Sequence, residues 1–106
     1  MATRSNSRSW TFLTNHAHVL LVIASTPDVR VRDLAQLVGV TERTALQIID
    51  DLEADGYITR ERFGRRNRYH IDRSHPLRHP LEEHHEIGAL LQAVSHEGAE
   101  PDPADL

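Results

Sequence analysis

The chain has 106 residues, 39% hydrophobic and 26% charged, which is enough for one compact domain with a modest core. It contains no cysteine, so disulfides, thiolate metal sites and cysteine nucleophiles are excluded. The net charge of −4 is unevenly spread, because residues 57–73 hold Arg60, Arg62, Arg65, Arg66, Arg68 and Arg73 against only Glu61 and Asp72, while residues 82–106 hold acids and no Arg or Lys. With a Debye length of about 10 Å, that local basic field outweighs the sum.

Residues 1–9 are polar and arginine-bearing and are expected to form a disordered arm, ahead of a domain over residues 10–74. They lack the apolar core of a secretion signal, and the longest apolar run, residues 19–24, is too short to span a bilayer. The expectation is a cytoplasmic protein without membrane contact. From Leu13, the positions Leu13, Ala17, Leu20, Leu21 and Ala24 recur at helical spacing, with Thr14 or Asn15 as cap and Pro27-Asp28 as stop.

Val29-Arg30-Val31 alternates like a short strand. A short helix over residues 32–38 follows, with Leu34, Leu37 and Val38 on one face and Gly39 placed to end it. Thr41 then caps a third helix over residues 42–55, whose stripe is Ala45, Ile49 and Leu52 flanked by Ile48. After Gly56 the pattern changes to period two, giving a hairpin with a basic tip at residues 63–67 and a return strand at residues 68–72. Pro80 suits the start of a last helix reaching about Ser95, apolar at Leu81, Ile87, Leu90, Leu91 and Val94, within a unit at residues 75–96. Residues 97–106 are acidic and proline-bearing, and are expected to be a disordered tail.

A short helix, a glycine turn, a capped helix and a hairpin form the winged helix-turn-helix arrangement, an α+β fold that is mainly helical with a small β-hairpin. The pieces Asp33-Leu34-Ala35, Gly39-Val40-Thr41, Asp51-Leu52-Glu53 and Gly56-Tyr57-Ile58 resemble winged-helix transcriptional regulators of the MarR and ArsR type over about residues 11–73. The resemblance implies a sequence-specific regulator that binds double-stranded DNA as a homodimer, with no cofactor and no catalytic residues. Carried onto this sequence, it implies that Arg43, Thr44 and Gln47 face the major groove while Thr41 offers its hydroxyl or amide to a phosphate. The wing would bring Arg62, Arg65, Arg66, Asn67 and Arg68 to backbone or minor groove. Helical spacing separately places residues 43, 44 and 47 away from the apolar stripe. Leu46 and Asp50 depart from the small polar or basic groups usual on such a helix.

For the dimer, Leu81, Ile87, Leu91 and Val94 stand out because a three-helix core offers them few partners. Two other functions remain open at the level of sequence. One is a winged helix that docks an acidic regulatory protein partner through its basic hairpin. The other is a metal- or ligand-responsive repressor, since His79 and Glu83 sit four apart with His84 adjacent, a spacing at which imidazole and carboxylate share zinc on a helix. No phosphate loop or nucleophile motif supports an enzyme.

Overall fold

The computed structural model describes residues 10–94; the expected N-terminal arm and acidic tail lie outside the described residues. Six elements follow in order: α1 (Asn15–Ser25), α2 (Val31–Val38), α3 (Glu42–Ala54), β1 (Ile58–Phe63), β2 (Arg66–Ile71) and α4 (Ile87–Val94). The fold is the α+β winged helix anticipated above.

Each helix of the central unit starts or stops for a local reason. Thr14 caps α1 by accepting from the Ala17 N–H at 3.2 Å, and Thr41 caps α3 by accepting from the Thr44 N–H at 3.0 Å. Each cap satisfies an amide that has no partner inside the helix, a contribution of about 1 kcal/mol. Gly39 ends α2 with φ 90°, its N–H bonded to the Ala35 carbonyl. The strand expected at residues 29–31 does not form. Pro27 instead gives one backbone bond to the neighbouring strand, its carbonyl accepting from the Tyr69 N–H at 2.8 Å, and Val31 already belongs to α2.

The core lies where α1, α2 and α3 meet the base of the hairpin. Ile23, Leu34, Ile49 and Ile58 are its fully buried centre, with Ala45, Ile48 and Leu52 completing the stripe expected on α3. Two faces differ from expectation. Leu37 is 69% exposed, so α2 packs through Leu34 and Ala35 instead. On α1 the expected Leu20 and Ala24 are buried together with Val19 and Ile23, while Ala17 and Leu21 are half-buried, as is Leu13 just ahead of the helix.

The antiparallel hairpin pairs Ile58 with Ile71, Arg60 with Tyr69 and Phe63 with Arg66, leaving only Gly64 and Arg65 in the turn. The tip is therefore tighter than expected. Gly64 takes φ 62° and Arg65 does not take a positive φ, the sign pattern of a II′ turn, whose twist matches the flanking strands.

The last helix begins seven residues later than Pro80 suggested, at Ile87. Residues 76–86 instead form a looped excursion. Its ends are tied by Leu77 N–H to the His85 carbonyl at 2.9 Å and Ile87 N–H to the His75 carbonyl at 2.8 Å. Within it, His79 Nδ1 accepts from the Leu81 N–H at 3.0 Å, capturing an amide that stays free in the first turn of a helix. At its entry the Asp72 carboxylate accepts from the Ser74 N–H and hydroxyl, and these two bonds hold its pKa below the ordinary carboxylate value.

Ile87 and Leu91 are buried in the protomer's own core, so the premise that they lack partners there is corrected. Of the suggested dimer residues, Leu81 at 84% and Val94 at 50% are exposed. Gly88 lets α4 dock: its N–H bonds to the Arg73 carbonyl at 2.8 Å, and an added Cβ would lie 2.8 Å from that same oxygen. Gly88→Ala is expected to push α4 off the core and cost about 1–3 kcal/mol, read as a lower unfolding midpoint in denaturant.

Candidate nucleic-acid interface

The turn at Gly39 and Val40 sets α3 against α2, and the core stripe on one side of α3 leaves Arg43, Thr44, Leu46 and Gln47 exposed on the other. Thr41 and Thr44 are locked together, with the Thr41 hydroxyl donating to Thr44 Oγ1 at 3.1 Å while accepting from the Thr44 N–H. That bond leaves the Thr44 hydroxyl proton free for an outside acceptor. Leu46, 43% exposed, lies between Arg43 and Gln47 in sequence and offers an apolar contact on the same surface.

Alternation divides the wing into two faces. Ile58, Arg60 and Arg62 pair with Ile71, Tyr69 and Asn67 on the inward side, where Ile58 and Tyr69 are buried. Glu61 and Phe63 pair with Arg68 and Arg66 on the outward side. The expected wing set is thus brought to one hairpin tip but not to one face. Arg62 donates from Nε to the Gly64 carbonyl at 3.0 Å, bracing the turn, and Arg66 lies 3.4 Å from Asp28. His70 and Glu61 bond at 2.9 Å on the outward strand faces.

Asp50, the departure noted on α3, and the acids that follow it through the C-cap Asp55 are each held by a side chain from elsewhere. Arg60 donates to Asp50 at 2.8 Å and to Glu53 at 2.6 Å, His16 on α1 bonds Asp51 at 2.9 Å, and Arg78 bonds Asp55 at 2.8 Å. The hydrogen bond to Glu53 raises the Arg60 pKa further, against a smaller opposing effect of burial and with Asp50 adding to the rise. Burial pushes the Tyr57 hydroxyl up, opposed by the Arg78 charge and reinforced by Asp55, and that hydroxyl donates to the Pro76 carbonyl at 2.6 Å.

By contrast, Arg30, Arg32, Arg43, Arg65 and Arg68 have no ion pair or side-chain hydrogen bond among the described residues. Sequence reading missed Arg30 and Arg32, the cap and second residue of α2. Their signal was available, as two arginines flanking the start of the first helix of a helix-turn-helix.

His79, Glu83 and His84 do not share a helix face, because they lie in the looped excursion before α4. Among the described residues, no group of three or more His, Asp or Glu side chains is arranged to hold a metal ion. Among the same residues, no helix is long and apolar enough to cross a membrane.

No curated protein matches the chain. A family model described as the MarR family matches residues 11–68, more than half of the sequence and the span from the approach to α1 to the middle of β2. With the helix-turn-helix and wing in place over that span, the chain belongs to the MarR family of winged-helix, DNA-binding transcriptional regulators.

Proposed function

We propose that the protein binds duplex DNA sequence-specifically by laying the first two turns of α3 in the major groove and the wing tip along the backbone. The supporting observation is the division of charge: the acids of the second half of α3 are held by Arg60, His16 and Arg78, while Arg43, Arg65 and Arg68 have no partner among the described residues. A cation without an internal partner has no bond to give up on meeting phosphate.

In this reading Arg43 forks onto a guanine or Gln47 pairs with an adenine, and Leu46 meets a thymine methyl group. Thr44 uses its free hydroxyl proton, and Thr41 serves through the helix terminus it caps. Arg65, Arg66 and Arg68 hold the backbone, with Arg30 and Arg32 on a flanking phosphate, while Arg62 and Asn67 shape the tip. A homodimer, paired through the C-terminal region that exposes Leu81 and Val94, places two recognition helices about 34 Å apart on a near-palindromic site.

The test is binding to duplexes selected from a random pool, followed across salt concentrations. Five arginines, each on one phosphate, give a slope of log affinity against log salt of about −4.5 per protomer. A slope near zero, or equal affinity for every duplex, removes this reading and favours a wing that docks an acidic regulatory protein.

A further inference from the structure

Phe63 closes β1 and directly precedes the turn at Gly64 and Arg65, yet it is 53% exposed. It lies five residues along the strand from the buried Ile58, about 17 Å, and so stands well clear of the core. It belongs neither to the core nor to the partly buried residues packed against it. The hairpin tip does not depend on it either. Gly64 supplies the turn geometry, and Arg62 braces the turn through the Gly64 carbonyl at 3.0 Å.

The surroundings of the ring are cationic. It lines an open groove of about 410 Å³ at the wing tip, together with Arg65, Arg66, Asn67, Arg68 and Asp28. Three guanidinium groups against one carboxylate leave an excess of positive charge. Arg65 and Arg68 have no ion pair or side-chain hydrogen bond among the described residues, and Asp28 holds Arg66 only at 3.4 Å. Among those residues, Phe63 is the one apolar side chain in the lining.

We propose that Phe63 is a wedge that enters the stacked bases of duplex DNA from the minor groove, at a pyrimidine–purine step beside the base pairs read by α3. The inference rests on the duplex-binding reading above and adds to it a kink and a sequence preference. An aromatic ring inserts between base pairs as an apolar wedge, and pyrimidine–purine steps unstack most cheaply. Alternation puts Arg66 and Arg68 on the same outward face of the hairpin as Phe63, so that face brings ring and cations to the duplex together. The operator is thereby discriminated at a step where no base edge is hydrogen-bonded. An acidic protein is the poorer occupant, because it satisfies the arginines but finds a single ring in place of a cluster of apolar anchors.

Duplexes recovered from the random pool, each carrying 2-aminopurine at one position, report unstacking as a rise in fluorescence. Phased gel shifts of the same duplexes report the bend. The expected result is a severalfold rise at one step within the wing's footprint, with a bend of about 20–90°. Phe63→Ala is expected to abolish the rise and the bend, and to weaken binding to that duplex about tenfold. Phe63→Leu, which keeps an apolar wedge, retains most of the bend. The slope of log affinity against log salt stays the same in both variants, because no phosphate contact is lost. Both keep the unfolding midpoint, since the ring lies outside the core.

The proposal is overturned if no step brightens when the unaltered protein binds, or if Phe63→Ala keeps the bend. It is also overturned if Phe63→Ala loses affinity equally for duplexes with and without the pyrimidine–purine step. The two readings fail separately. Salt-dependent duplex binding with flat fluorescence overturns the wedge alone, whereas no duplex binding at all removes the DNA reading and the wedge with it.

Discussion

Replacing Arg65 and Arg68 together with alanine is expected to lower affinity for every duplex by on the order of 100-fold, about 1.5 kcal/mol for each charged hydrogen bond removed. Neither side chain has an ion pair or side-chain hydrogen bond among the described residues, so the loss comes from DNA contact and not from the fold. The slope of log affinity against log salt becomes shallower by about 0.9 per arginine. Arg43→Ala behaves differently: it costs about 1–3 kcal/mol on the preferred site and relaxes discrimination at one base pair. Gel shift and fluorescence anisotropy against a specific and a scrambled duplex measure both. If the wing double variant loses affinity for the specific duplex alone, the wing reads bases and the assignment of roles is reversed.

Ile49→Ala is the substitution expected to damage the fold most. Ile49 is fully buried on α3, in the stripe that meets α1 and α2 and the base of the hairpin. Removing its branched chain gives up burial and leaves a cavity, a loss of about 2–5 kcal/mol, which is a large share of the stability of a domain this size. The midpoint of thermal unfolding falls by about 8–40 °C, at roughly 4–8 °C per kcal/mol, as circular dichroism measures. Leu37→Ala is the matched control. It removes a similar volume from a residue that is 69% exposed, and changes the midpoint by a few degrees at most.

The elements that sequence alone located are those decided by neighbours in the chain. Thr41 caps α3 because the amide it satisfies is three residues away, and Ala45, Ile49 and Leu52 face inward because α3 is otherwise polar apart from Leu46, Ile48 and Ala54. On α1 the run from Val19 to Ala24 is apolar on every side, so periodicity found the buried Leu20 and Ala24 but took Leu21 in place of Val19 and Ile23. Packing against α2 and α3 decided it. The late start of α4 was hidden for the same kind of reason. Backbone bonds from Leu77 to His85 and from Ile87 to His75 shape the excursion, and Pro80 carries no trace of them.

The interface was legible in part. The cluster at residues 65–68 announced a basic tip, but its division into two faces depends on the register of the hairpin. Asp50 looked like a defect because Arg60, ten residues on, was assigned only to a strand. The hairpin returns that guanidinium to α3, where it bridges Asp50 and Glu53.

Among the described residues, every side-chain bond from α3 and its C-cap to another element begins at Asp50 or beyond, while the first two turns bond only within their own cap. How the helix is held and what it reads are therefore written in different stretches of sequence. Changes at Arg43, Thr44, Leu46 and Gln47 alter the address without disturbing the mount. A duplicated copy of this gene would be free to drift toward a new operator through those positions, and a designer could redirect the protein there without rebuilding the domain.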